Sequence, residues 1–296
     1  MTVFSAIILG LIQGLTEFLP VSSSGHLVIV QSLLGFKEPP ILFDVMLHVG
    51  TLCAVLTFFR KDIIMIFQGI FKPSSVSKVE AKLEVDQSKW ERTPASVVDE
   101  NPRHKNEGRW FAILIIVGTI PAAIVGAVFK DFLEGLFASA ITVGFAMWIT
   151  AFVLFLADRV RRREKEVTDI TILDAVVIGI MQAIAITPGI SRSGFTISAG
   201  IFRKLTSENA ARFSFIMSVP AILGALVLEF RKITNLSQET IGVYLVGTIV
   251  AAVVAYLSIT LIIRMIRFHQ LKVFSIYLWV VGLVVIWWHI LLKPAA

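Results

Sequence analysis

The feature that most constrains this chain is a set of long runs almost without charge: Phe111–Phe129, Leu136–Ala157, Phe213–Leu228, Ile241–Ile263 and Val273–Leu292. Four of the five are long enough to cross a hydrocarbon core about 30 Å thick as a helix, and Phe213–Leu228 lies within the longer stretch 208–229. A helix on a soluble protein would show a polar face at every turn, and these do not. A buried helix in a large soluble protein accounts for one such segment, not for five or six. Charge supports the same reading, because Asp, Glu, Lys and Arg make up only 16% of the residues against about 25% in an ordinary soluble domain.

The expected fold is therefore all-α and polytopic, a single integral membrane domain over 1–296 with six transmembrane helices near 41–59, 109–129, 136–157, 208–229, 240–263 and 272–292. One polar insert, 72–108, carries Pro73, Ser74, Ser75, Pro94, Pro102 and many charges, and holds too little apolar sequence to form a core of its own. The N-terminus lacks a basic region followed by a cleavage site and reads as mature membrane sequence. The lone cysteine, Cys53, excludes a disulfide framework or a thiolate metal site and reads as a small packing residue. In a soluble protein a net charge of +6 would suggest nucleic acid; here the basic residues lie between apolar segments, which is a topology signal, and no nucleic-acid partner is expected. The insert, the connection 158–169 with Arg159, Arg161, Arg162 and Arg163, and the connection 264–272 with Arg264, Arg267 and Lys272 fall on one side if the spans alternate. The positive-inside bias makes that side cytoplasmic. The shorter links 130–135 and 230–240, and both termini, are then expected outside.

Two stretches do not read as plain spans. Residues 4–35 are apolar but broken by Pro20-Val21-Ser22-Ser23-Ser24-Gly25-His26, and 171–204 are broken by Pro188-Gly189-Ile190-Ser191-Arg192-Ser193-Gly194. A shift of 169 residues superposes Gly10 on Gly179, Gln13 on Gln182, Ser22 on Ser191, Ser24 on Ser193 and Gly25 on Gly194. Each reads as a re-entrant helical hairpin opening a repeat, the first over 1–157 and the second over 171–292. Three spans lie between the hairpins, an odd number, so the second repeat is expected to be inverted, with the two breaks meeting near the midplane.

The breaks carry the chemistry. Glu17 ends an uncharged stretch, and a carboxylate at that depth costs several kcal/mol, roughly, unless it is used or paired. Gln13 lies one turn earlier on the same face. Ser22, Ser23 and Ser24 stand at the start of a half-helix, whose free N–H groups and dipole favour an anion, although serines also cap helices with no further role. His26 lies within a turn of Ser22 and Ser23, in reach of a serine proton. In the second break Arg192 stands between Ser191 and Ser193, and its planar fork of donors matches phosphate oxygens. Asp44 and His48, spaced i, i+4, read equally well as a structural pair or as support for the site. Glu17 with serine oxygens could also hold one hard divalent cation shared with a substrate. Together these groups suit a phosphate or diphosphate carried on a long apolar tail.

Gln13-Gly14-Leu15-Thr16-Glu17-Phe18-Leu19-Pro20-Val21-Ser22-Ser23-Ser24-Gly25-His26 and Pro188-Gly189-Ile190-Ser191-Arg192-Ser193-Gly194 closely resemble the two signature motifs of the undecaprenyl-diphosphate phosphatases, the bacitracin-resistance family. Phe43–Thr51 resembles the family's next segment, and the likeness covers nearly the whole chain apart from the insert. The resemblance implies hydrolysis of undecaprenyl diphosphate to the monophosphate and inorganic phosphate, recycling the lipid carrier for cell-wall polymers and conferring bacitracin resistance. It implies a multi-pass protein of the cytoplasmic (inner) membrane with its site open to the outer face, dependence on Mg2+ or Ca2+, and a polyprenyl diphosphate and the bilayer as partners; a homodimer is left open. Residue by residue it implies Glu17 as metal or orienting group, Ser23 as nucleophile, and His26 as acid/base or phosphate contact. It implies Ser191 and Arg192 as a diphosphate clamp, and Gln13, Ser22, Ser24 and Ser193 are expected around the substrate. Gln13 stands where many members have glutamate, and Phe195 where alanine is usual. A second reading, a polyprenyl-phosphate transporter or flippase, rests on the inverted repeats themselves.

Overall fold

The computed structural model describes residues 1–36, 41–71, 107–129, 140–230, 238–267 and 270–292. Most of the insert, 72–106, and the links 130–139 and 231–237 lie outside the described residues, so the expectations placed on them go no further. The described residues form α-helices and one 3-10 turn, with no strand among them beyond an isolated bridge between Lys165 and Leu205. In chain order the helices are α1 Val3–Thr16, α2 Ser23–Leu33, α3 Ile41–Phe58, α4 Arg60–Phe71, α5 Glu107–Val128, α6 Ala140–Asp158, α7 Ile172–Ile184, α8 Arg192–Phe202, α9 Ser207–Phe230, α10 Gln238–Arg267 and α11 Leu271–Leu292.

Five of them, α5, α6, α9, α10 and α11, are long and apolar enough to cross a membrane. They expose apolar side chains in stripes: Ile116, Ile120 and Ile124 on α5, and Ile249, Val253, Leu257 and Leu261 on α10. In water such stripes would be costly; in a bilayer they are the ordinary lipid-facing surface. The protein is a multi-pass membrane protein. The span expected at 41–59 is α3, and it does not stop there: after Phe58 the chain bends by 80° into α4. Arg60, Lys61 and Asp62 stand at that bend. Helix α4 buries none of its residues, and Asp62 pairs with Arg212 near the start of α9. Cys53 is exposed on α3, not packed inside as expected.

Contacts between helices rest on small residues, as is usual where no hydrophobic driving force separates helix from lipid. Helix α1 lies along α10, which also packs on α3, while α5 carries α7 and α6 carries α11. A Cβ at Gly10 would come within 2.6 Å of the Gly247 carbonyl, and one at Gly179 within 2.3 Å of the Gly118 carbonyl. These two glycines are the matched pair of the sequence repeat, and each seats its hairpin on a long span.

Polar contacts gather the basic connections at one end. The Lys272 N–H donates to Asp158 (3.3 Å), and the N–H groups of Glu164 and Lys165 donate to the Lys204 carbonyl (3.0 and 2.9 Å). Buried Asp174 accepts from Lys165 Nζ (2.9 Å) and Arg203 Nε (2.6 Å). The connection after α6 is thus tied to the base of the α7–α8 hairpin.

Gly179→Val forces apart two backbones and is expected to lower the melting temperature in detergent by about 4–10 °C, the cost of overpacking. Gly224→Ala is the control: a Cβ there meets nothing within 4 Å, and its melting temperature is expected to stay level or rise.

Candidate active site

The local sequence explains both breaks. Pro20 cannot donate into a continuing helix, and α1 ends at Thr16 with Glu17 as its C-cap. The chain restarts at Ser22, whose hydroxyl accepts from the Gly25 N–H (3.2 Å) as the N-cap of α2. In the second hairpin Gly189 takes φ +87°, a left-handed turn open to glycine at little cost. Ser191 then caps α8 by accepting from the Gly194 N–H (3.0 Å). Ser22 and Ser191 are repeat partners with the same job. They differ in backbone: Ser22 is itself left-handed, φ 67°, a conformation that costs a non-glycine residue about 1–2 kcal/mol.

The two breaks are bonded to each other. The Gly189 N–H donates to Ser24 Oγ (3.4 Å) and Ser193 Oγ donates to the Leu19 carbonyl (3.0 Å). At their meeting point sits Glu17, its side chain 4% exposed. One carboxylate oxygen, Oε1, accepts from Arg192 Nη2 at 2.5 Å. The other, Oε2, accepts from Ser23 Oγ at 2.6 Å and Gln13 Nε2 at 2.9 Å, and lies 3.6 Å from His48 Nε2. A buried carboxylate is tolerable with this many donors and a cation beside it. Arg192 Nη1, by contrast, is buried without a partner, a free charged donor beside the serine cluster.

The structure therefore brings Gln13, Glu17, Ser23, Arg192 and His48 to one point. Ser22, Ser24, Ser191 and Ser193 stand around it, partly in pairs: Ser22 Oγ and Ser24 Oγ are 3.5 Å apart, Ser191 Oγ and Ser193 Oγ 3.2 Å. His26 is turned away. Its Nδ1 bonds to the Ser22 carbonyl (2.8 Å) and its Nε2 to the Tyr277 hydroxyl (2.8 Å), so Ser23 gives its proton bond to Glu17 and not to His26. Asp44 and His48 are linked through backbone only, His48 Nδ1 donating to the Asp44 carbonyl (2.7 Å), while the Asp44 carboxylate accepts from Gln31 (2.7 Å). Phe195 is buried, packed with Ala146, Ala185 and Ile190, so its bulk fills the seam between hairpin and α6.

With this geometry in view, comparison with known proteins is decisive. The family model described as "Bacitracin resistance protein BacA" matches residues 6–284, which takes in both broken motifs and the long spans as far as the middle of α11. This chain belongs to that family. Among its curated relatives, an undecaprenyl-diphosphatase of Carboxydothermus hydrogenoformans is 39% identical over 290 residues, 97% of each chain. Undecaprenyl-diphosphatase 4 of Bacillus thuringiensis is 40% identical over 283 residues, 95% of each chain. An undecaprenyl-diphosphatase of Methanosphaera stadtmanae is 40% identical over 284 residues, 96% of this chain and 97% of its own.

Sequence reasoning missed three groups at this family member's site. Tyr277 reaches His26 from α11 across 251 positions of sequence, and no local pattern marks it. Gln31 lies on the polar side of α2 and its pairing with Asp44 needed the fold. Thr150, which accepts from the Ser191 N–H (3.1 Å), looked like one more residue of an apolar span.

The Glu17–Arg192 pair makes a structural prediction. Arg192→Met alone strands a buried carboxylate, and Glu17→Gln alone strands a guanidinium. Thermal unfolding is expected to show each single variant losing about 3–5 kcal/mol, as for other buried pairs broken on one side, and the double variant losing less than the sum of the two. Additive losses would contradict the pairing.

Proposed function

We propose that this protein hydrolyses undecaprenyl diphosphate to undecaprenyl phosphate and inorganic phosphate, with the two hairpin tips as its active site. The observation that carries the reading is the short bond from Ser23 Oγ to Glu17 Oε2, on the same carboxylate that Arg192 reaches from the other hairpin. A hydroxyl aimed at a carboxylate is a nucleophile beside its base, and a guanidinium alongside is a site for phosphoryl oxygens. The curated relatives, all called undecaprenyl-diphosphatases, support the same substrate.

In the proposed reaction the diphosphate competes with Glu17 for Arg192. Its oxygens take the free Nη1 and then Nη2, which removes the cation from Glu17 Oε1 and makes the carboxylate a better proton acceptor. Ser23 Oγ attacks the terminal phosphorus while its proton passes to Glu17 Oε2. The bond to the bridging oxygen breaks, and undecaprenyl phosphate leaves with the electron pair. Glu17 passes that proton to the departing undecaprenyl phosphate and regains its charge; water then gives a proton to Glu17 Oε2 as its oxygen attacks the phosphoserine phosphorus, the bond to the Ser23 oxygen breaks, that oxygen takes the proton back from Glu17, and inorganic phosphate leaves. The α2 and α8 N-termini add N–H groups for the phosphoryl charge, and Gln13 holds Glu17 in register.

The Mg2+ or Ca2+ that the resemblance implies would sit beside the substrate's own oxygens. Among the described residues no three His, Cys, Asp or Glu side chains converge to hold a metal, and both Glu17 oxygens accept from protein donors. Glu17 is the ligand this chain would contribute, the rest coming from diphosphate and water, and the ion would offset charge on the phosphoryl oxygens.

We place the protein in the cytoplasmic membrane as two inverted repeats, 1–157 and 171–292. The basic ends near Asp158, Lys165, Arg203 and Lys272 face the cytoplasm and the α1–α2 hairpin opens outward. Hydrogen bonds lock the two tips together, which favours a fixed active site over the rocking that a flippase would need.

The test is purified protein with undecaprenyl diphosphate, a divalent cation and a phosphate-release assay. Ser23→Ala is expected to abolish turnover and the acid-stable phosphoserine that a rapid quench would trap. Arg192→Ala is expected to lose about 10²–10³-fold in kcat/KM, and Arg192→Lys to recover little of it, because one ammonium cannot replace a planar fork. Near-normal turnover in Ser23→Ala would transfer the attack to water.

A further inference from the structure

Tyr277 has no part in the motifs that mark this site, yet it holds one of the site's histidines. His26 is buried, with Nδ1 on the Ser22 carbonyl at 2.8 Å and Nε2 on the Tyr277 hydroxyl at 2.8 Å. The two rings are nearly parallel, 6° apart with centroids 5.7 Å apart. A backbone carbonyl can only accept, so the proton of the neutral imidazole sits on Nδ1. Nε2 is then the acceptor and Tyr277 the donor.

The carbonyl that His26 braces belongs to the strained residue of the break. Ser22 is left-handed, and its carbonyl takes the His26 backbone N–H (3.2 Å) as well as Nδ1. Its hydroxyl holds the Gly25 N–H. The next residue is Ser23, whose aim at Glu17 depends on the turn that precedes it. We infer that Tyr277 is a positioning residue for the hydrolysis: its hydroxyl fixes the tautomer and plane of His26, His26 braces the Ser22 turn, and the turn aims Ser23 at Glu17. Tyr277 lies on α11, so the second half of the chain supports the geometry of the first hairpin's nucleophile. The site thereby depends on a residue that touches neither substrate nor nucleophile. The inference rests on the phosphatase reading for its kinetic part only; the tautomer is a property of the resting protein.

The experiment pairs phosphate release with 15N NMR of histidine-labelled protein in detergent, where the chain has only five histidines to assign. Tyr277→Phe is expected to lower kcat about tenfold, the worth of one buried hydrogen bond, with KM within about twofold. The His26 ring signals are expected to change from a single Nδ1–H tautomer to a mixture. A fluorotyrosine at 277, which keeps the ring and a more acidic O–H, is expected to restore both and to shift the Nε2 resonance. It also serves if the phenylalanine variant does not fold, and an unmoved Nε2 resonance in it overturns the assignment. Wild-type release together with an unaffected Tyr277→Phe overturns the role of Tyr277 alone. A wild-type protein that releases no phosphate overturns the hydrolase reading, while the tautomer still decides whether the Tyr277–His26 bond exists.

Discussion

The contact on which this structure depends is the ion pair between Glu17 and Arg192. Each is a charge that a bilayer would reject, and each stands at a break in an apolar hairpin where backbone groups are also short of partners. Brought together at 2.5 Å they neutralise one another, and the tips that carry them are joined by Ser24 to Gly189 and Ser193 to Leu19. Neither hairpin closes its own tip. Each is completed by the other, so the candidate site lies where the two hairpins meet.

In the resting protein the guanidinium satisfies the carboxylate, and a spare donor, Nη1, remains buried without a partner. A diphosphate brings more negative charge than Glu17 and matches the fork of donors better. In the proposed reaction its arrival would move the cation from Glu17 to the substrate, freeing the carboxylate as acceptor for the Ser23 proton and neutralising the phosphoryl group in one exchange. The apolar helices around the tips keep the local dielectric low, so the exchange is worth more there than in water.

Much of this was legible in the sequence because it is local. Apolar runs mark the spans, Pro20 and Pro188 mark the breaks, and Ser-x-x-Gly at Ser22 and Ser191 marks two N-caps with the same bond to the residue three on. The matched Gly10 and Gly179 mark where the hairpins lie against long helices. What was not legible is what the fold brings from afar. His26 looked close enough to take a serine proton because one turn separates them, yet its ring is drawn to Tyr277, and the carboxylate of Glu17 takes the bond instead. Asp44 and His48 read by spacing as a structural pair or as support for the site; the Asp44 carboxylate turns to Gln31, while His48 Nε2 lies 3.6 Å from Glu17. The bend after Phe58 had a visible signal in Arg60-Lys61-Asp62, which cannot continue a span; the helix beyond it packs through Ile63, Met65 and Ile66 and through the close approach of Gly69 to α5, while Asp62 pairs with Arg212.

The most direct test of the central claim is a structure with a non-hydrolysable undecaprenyl methylene-diphosphonate bound. The account predicts the terminal phosphonate between Ser23 and Arg192, with Arg192 drawn off Glu17 and both guanidinium nitrogens on phosphonate oxygens. A ligand seated elsewhere, or one bound while the Glu17–Arg192 pair stays closed, would contradict it.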